Sequence, residues 1–275
     1  MALIRQPAVA GTFYDGGSAA LRDHVDLLLG QARGAKHKGT IVGLVSPHAG
    51  YMYSGLTAAA GYRALKGLSF DVVFIVGPSH REFFTGASIY PGDAYRTPLG
   101  DVLLNPEARA SLADESKYLK ISEAGHGAEH SLEVQLPFLQ RILGSFTIVP
   151  IVIGDQTPEA CFEVGKALAS VARGYKALMI ASSDLSHFHP YDDAVRLDRQ
   201  VIDSVESFDE NRLMDRLANE QLEACGGGPV VAVMHASKLL GANRSQALFY
   251  CNSGDITGDK AGVVGYLSAA FLRST

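Results

Sequence analysis

An α/β/α sandwich around a mostly parallel or mixed central sheet is the fold class this sequence predicts, on three observations. Short continuous apolar runs rich in Val and Ile alternate with stretches of helical periodicity, the pattern of strands covered on both faces. Glycine, proline or serine bounds these runs. With 47% hydrophobic and 19% charged residues in 275, the chain can bury a large core, which excludes disorder by composition.

The elements follow in order. Residues 18–32 carry Leu21, Val25, Leu28 and Leu29 on one stripe and read as a helix. Residues 40–45 and 71–76 read as the first two strands of the run pattern. The polar stretch 110–128 reads as an insertion rather than a domain joint, so residues 1–275 read as one α/β domain. Leu132, Leu136, Leu139 and Leu143 repeat at helical spacing over 131–143, and Pro137 inside that run predicts a kink or a late start. Residues 146–153 form the next strand. Thr157-Pro158-Glu159 opens a helix, with a capping hydroxyl and proline in the first turn. Residues 176–181 are a strand, Ala194, Leu197, Val201 and Val205 mark a helix, and 229–240 mark another. Strands at 246–251 and 261–271 complete the chain.

Composition narrows the function classes. A net charge of −5 argues against a nucleic-acid footprint, which needs a basic face. No apolar run approaches the ~20 residues of a membrane helix. Residues 1–14 lack the pattern of a secretory signal. The three cysteines are widely spaced and odd in number, which disfavours a disulfide framework and predicts a reducing, cytoplasmic setting. Neither dinucleotide nor P-loop glycine motifs occur, and His-Glu-x-x-His is absent. Asn252-Ser253-Gly254-Asp255 and Cys225-Gly226-Gly227-Gly228 are only weak phosphate-loop candidates.

In open α/β sheets, ligands bind beyond the carboxyl ends of the strands, and here those ends carry chemistry. The first strand runs into Ser46-Pro47-His48-Ala49-Gly50-Tyr51, the second into Gly77-Pro78-Ser79-His80, and a later one into Ser182-Ser183-Asp184-Leu185-Ser186-His187. If the first two strands are neighbours, ~4.8 Å apart, His48 and His80 can share one ion; the alternative is two histidines bonded separately in their own turns. Cys225 precedes a helix, where a thiol's pKa is lowered and three glycines allow close backbone approach. Asp184 and His187, three apart in a turn, read as an acid–base or orienting pair, or Asp184 as a turn cap. Glu129 and Ser131 are candidate helix caps, and His130 between them is a candidate for the site wall. Cys161 and Cys251 read as core residues and His235 as a satisfied core histidine. His24, His37, His126 and His189 are expected to be exposed.

Taken together, SPHAGY (46–51), GPSH (77–80), YRTPLG (95–100), EHSLE (129–133), SSD (182–184) and CGGGP (225–229) resemble the Memo family, whose prokaryotic branch is called AmmeMemoRadiSam system protein B. The matches run from about residue 10 to about residue 265. The resemblance implies a fold like that of class III extradiol dioxygenases, non-haem iron enzymes that open catechol rings with two histidines and a glutamate on the metal. His48 and His80 match the two histidine ligands, and His187 the acid–base position. Cys225 stands at the third ligand position, as in Memo proteins, and that departure from glutamate argues against ring cleavage. Asp184 and an aromatic residue near the amino end belong to the family's pocket. Phe13 stands where animal relatives carry tryptophan, and Tyr51 and His130 are further pocket candidates. Animal members are linked to receptor-tyrosine-kinase signalling and reported to bind copper or iron. The prokaryotic branch is associated with a radical-SAM protein and an AMMECR-type protein.

The leading expectation is therefore a metal-binding redox protein using His48, His80 and Cys225, with iron first and copper or zinc as the other metals that two imidazoles and a thiolate suit. Its small-molecule or peptide ligand is unspecified. A metal-free hydrolase, with Cys225 attacking, His187 activating and Asp184 orienting, is the second reading. A binding module with a vestigial dioxygenase-like pocket is the third.

Overall fold

A computed structural model describes residues 2–33 and 36–274. In chain order the elements are β1 (Ile4–Arg5), α1 (Ser18–Gln31), β2 (Thr40–Ser46), α2 (Tyr51–Arg63), β3 (Val72–Pro78), β4 (Ala87–Ile89), β5 (Ala94–Thr97) and β6 (Gly100–Leu103). Next come α3 (Pro106–Glu115), β7 (Leu119–Ile121), α4 (Leu136–Ile142), β8 (Thr147–Ile153), α5 (Pro158–Ala172), β9 (Ala177–Ser182) and β10 (Asp184–His189). The chain ends with α6 (Tyr191–Glu206), α7 (Glu210–Ala218), α8 (Gly227–Leu239), β11 (Arg244–Asn252), α9 (Ser253–Thr257) and β12 (Val263–Arg273).

The main sheet is mixed, in the order β10-β12-β2-β9-β3-β8-β4-β7, with β11 also paired to β12. Its centre, β2-β9-β3-β8, is parallel. Buried on both faces, these strands are continuous apolar runs for the reason anticipated. Alternate residues feed opposite cores: Val72, Phe74 and Val76 of β3 enter one, Val73 and Ile75 the other. The first core is closed by α5 and α8 among others, the second by α1, α2 and α4. This is an α/β sandwich.

Several local expectations need correction. The strands that deliver His48 and His80 are not neighbours, because β9 lies between β2 and β3 and pairs with both. Asp184 and His187 lie on a short strand, β10, antiparallel to β12 and broken by register shifts, rather than in a turn. The stretch 110–128 is no insertion: it completes α3 and supplies β7, which pairs parallel to β4 at the sheet edge. Helix α4 starts late, after a 3-10 turn at Glu133–Gln135, with Pro137 in its first turn, where a missing N–H costs nothing. The Thr157 hydroxyl caps α5 by accepting from the Ala160 amide.

Candidate metal centre

Three parallel strands end side by side at the carboxyl edge, and their successors build the site. β2 leads to His48, β3 to His80 and β9 to Ser182 and Asp184. The chain before α8 then brings Cys225 over the end of β9. Glycine is required there by close approach to protein. A Cβ on Gly226 would lie 2.1 Å from the Ser182 carbonyl oxygen, and one on Gly228 would lie 2.6 Å from Cys161 Sγ. The glycines therefore seat the loop against β9 and α5, and the Gly228 amide is already spent on Gln156 Oε1 at 2.7 Å. The other weak phosphate-loop candidate is likewise closed, because Asn252 Oδ1 accepts the Gly254 and Asp255 amides as the cap of α9.

One ligand atom from each of His48, His80 and Cys225 lies within 4.8 Å of the others. Cys225 Sγ is 3.1 Å from His48 Nε2. His48 is buried and His80 is exposed, so the cluster opens to solvent at His80. The His48 and His80 ring centroids are 5.0 Å apart, although their strands are two positions apart in the sheet. His130 joins them, its ring 4.8 Å from His80 and 5.3 Å from His48, with the Phe13 ring 4.8 Å away on its other contact. Phe13 is tied to this edge through its carbonyl, which accepts the Tyr51 amide at 2.7 Å. Tyr51 supports the pocket from beneath instead of lining it: its ring packs on Tyr14 and Phe138 and its hydroxyl donates to the Val134 carbonyl at 2.6 Å.

Glu129 is the organising carboxylate, and its cap-like motif position disguised it. Its Oε2 accepts the His80 amide at 2.7 Å, and its Oε1 accepts His80 Nδ1 at 2.9 Å and the Ser131 amide at 2.9 Å. Burial alone would raise its pKa, but these bonds outweigh burial and hold it at about 2. An ionised Glu129 can only accept, so His80 Nδ1 carries a proton and Nε2 is the ring nitrogen left to face a ligand. Burial pushes the imidazolium forms of His48 and His130 down, His130 to about 4. His48 and His130 are thereby biased toward their neutral forms at pH 7.

A buried frame stands behind this edge. Arg5 pairs with Glu133 and donates to the Glu129 carbonyl, while its Nε donates to the His126 carbonyl at 3.1 Å. Glu133 also accepts the Ala8 and Val9 amides and the Tyr14 hydroxyl. His126, expected to be exposed, is buried here. The Tyr95 hydroxyl lies 2.6 Å from its Nδ1 and the Ser88 carbonyl 3.3 Å from its Nε2, and burial pulls its pKa down to about 3. Of the other histidines, His24 pairs with Asp15 and His189 with Glu223. His235 is only partly satisfied, with Nδ1 on Glu210 at 3.2 Å and Nε2 buried without a partner. Cys161 and Cys251 are buried. Arg5 and Gln135 escaped sequence reasoning, and Glu133 and Ser182 entered it only as letters of the EHSLE and SSD motifs, without a role. The one signal for them was a pair of glutamates four apart, Glu129 and Glu133, in a segment otherwise apolar enough to be core.

Asp184 and His187 do not form a couple. The Asp184 carboxylate accepts the His48 amide at 2.8 Å and also the Ala49 amide, and burial raises its pKa to about 7 against those bonds. The imidazole at the sulfur is His48, not His187. Burial drives the Cys225 thiol pKa up, with the Asp184 charge adding to it, the opposite of the lowering expected before a helix. A Cys225–His187–Asp184 triad is thus not assembled. His187 instead shares with Cys225 a cavity of about 380 Å³, walled by Met214, Leu217 and Leu222 and edged by Gln156 and Glu223.

Comparison with known proteins bears on family and fold. The family model described as Memo-like protein matches residues 5–270. Relatives named MEMO1 family proteins include one from Nitrosopumilus maritimus, 36% identical over 98% of this chain and 100% of its own. Another, from Methanosarcina mazei, is 41% identical over 96% of this chain and 97% of its own. A third, from Methanothermobacter thermautotrophicus, is 39% identical over 96% and 99%. A crystal structure of an uncharacterised Escherichia coli K12 protein superposes with a TM-score of 0.56 at 16% identity, over 84% of this chain and 100% of that one; at that identity it speaks to the fold alone.

Proposed function

The chain belongs to the Memo family, and we propose that it is a metal-binding member whose ion is held by His48, His80 and Cys225. One observation carries the reading: a donor atom from each residue falls within 4.8 Å of the other two. The residues fit such a group. His80 has its Nδ1 proton on a buried carboxylate, which leaves Nε2 as the nitrogen to meet an ion, the usual arrangement of a metal-bound imidazole. The thiol that burial keeps protonated in the metal-free protein is the atom a cation would deprotonate on binding.

Two imidazoles and a thiolate suit iron first in our reading, then copper or zinc. Bound iron or copper would supply one-electron redox chemistry, and zinc would supply Lewis acidity. The protein's own part is clearer. Glu129 orients His80, Asp184 holds the His48 backbone, and Met214, Leu217 and Leu222 give an apolar wall to the cavity beside Cys225. His187, which burial biases toward the neutral form, is the imidazole in that cavity able to take up a proton from a ligand beside Cys225.

The test is metal analysis of protein purified anaerobically, wild type beside Cys225→Ser. The reading expects close to one transition-metal ion per chain in the wild type and a large loss in the variant. Equal and negligible metal in both, with no uptake on addition of ferrous, cuprous or zinc ions, would refute it.

A further inference from the structure

We propose that Ser182, held in place by Gln135, locks His48 in the Nδ1–H tautomer and so keeps the His48 Nε2 lone pair turned toward Cys225. Ser182 Oγ lies 2.7 Å from the Ser131 carbonyl oxygen, 2.8 Å from Gln135 Nε2 and 2.9 Å from His48 Nδ1. A hydroxyl has one proton and two lone pairs. The carbonyl can only accept, so it takes the proton. The amide nitrogen can only donate, so it fills one lone pair. Only acceptance is left for the contact with His48, whose Nδ1 must therefore carry hydrogen.

The direction of the Gln135 amide is fixed independently. Its Nε2 is also 3.0 Å from the Pro47 carbonyl oxygen, while its Oε1 accepts the Tyr62 hydroxyl at 2.7 Å. A flipped amide would set oxygen against the Pro47 carbonyl. Ser182, Gln135 and Tyr62 are all fully buried, so these bonds are not shared with bulk solvent. On the other side of the ring, the Asp184 amide donates to Cys225 Sγ at 3.3 Å. The thiol proton has two acceptors in reach, His48 Nε2 at 3.1 Å and the Asp184 carbonyl at 3.7 Å, and the nearer is the imidazole. Every donor finds an acceptor in this arrangement. In the opposite tautomer Nε2 would bear hydrogen and offer nothing to an ion.

Ser182 is then a positioning residue acting through His48, as Glu129 acts through His80. The tautomer belongs to the metal-free protein; its effect on ion binding rests on the metal reading above. The experiment uses full-length protein labelled with ¹⁵N-histidine, metal-free at pH 7.5, with long-range proton–nitrogen correlations assigned to His48 by comparison with His48→Gln. The wild type should show His48 as the neutral Nδ1–H form. Ser182→Ala should move it toward Nε2–H and weaken Zn²⁺ binding about 10- to 100-fold, the range usual for losing a group that orients a ligand. Ser182→Thr, which keeps the hydroxyl, should restore both. A wild-type His48 in the Nε2–H form would overturn the proposal without any variant, as would a Ser182→Ala spectrum unchanged from wild type. Failure of the wild type to bind Zn²⁺ while His48 shows the expected tautomer would sink the metal reading and leave the lock standing.

Discussion

Replacing Glu129 by glutamine changes one atom's chemistry and should be costly. Both carboxylate oxygens are in use: Oε2 accepts the His80 amide, and Oε1 accepts His80 Nδ1 and the Ser131 amide. An amide side chain offers one accepting oxygen, so its NH2 must face at least one N–H donor. The loss is one hydrogen bond to a charged group, about 1.5–3 kcal/mol, together with a buried donor left unsatisfied, about 1–3 kcal/mol. A destabilisation of roughly 2.5–6 kcal/mol is therefore expected, above the usual cost of so conservative a change. The assay is urea unfolding at pH 7, reading the midpoint at unchanged slope. If Glu129→Gln costs less than about 1 kcal/mol, the segment has repaired its bonds with water and Glu129 is not the organising acceptor claimed here.

Three further outcomes follow from the same structure. Arg5→Met strands the Glu133 carboxylate in the interior and should cost about 3–5 kcal/mol in the same unfolding experiment; a loss within 1 kcal/mol would mean Glu133 is not charged there. His126 has a folded pKa of about 3 against an ordinary value of 6.5, because burial opposes its cation. Protons therefore favour the unfolded chain below pH 6.5, and between pH 7 and 4.5 this group alone should remove about 2–3 kcal/mol of stability. His126→Gln should flatten that part of the acid limb, and an unchanged limb would contradict the burial argument. Ferrous-loaded protein should not cleave simple catechols, since a thiolate stands where the dioxygenases have a hard carboxylate; robust formation of the yellow ring-opened product would contradict this.

Much of the edge chemistry was legible because strand ends are marked locally. His48 and His80 each follow an apolar run closed by a proline-containing turn, and Cys225 stands before glycines and a helix. Strand order was not legible. Nothing local says that β9, more than a hundred residues beyond β2, slides between β2 and β3, and two adjacent strands were the simplest way to bring two imidazoles together. The histidines meet because both side chains reach over the end of β9, which is also why Ser182 lies under His48. The buried polar frame was hidden for a related reason. His126 sits in a polar stretch, where exposure is the default, and the groups that meet it, Tyr95 and Ser88 on its ring and Arg5 on its carbonyl, come from 31 to 121 residues away. The Cys225 thiol was misjudged because the helix start it precedes is packed against protein, so burial dominates the helix dipole.

Titration of the metal-free protein with Co²⁺, read by absorption, tests the central claim most directly, because a thiolate bound to cobalt adds a charge-transfer band that nitrogen and oxygen ligands do not. The account predicts one equivalent bound in the wild type with that band present. Cys225→Ser should lose the band, His48→Ala should lose binding, and His187→Gln should keep both with affinity within a fewfold of wild type. A Co²⁺ complex lacking the thiolate band, or a band that survives Cys225→Ser, would contradict the assignment of His48, His80 and Cys225 as the metal ligands.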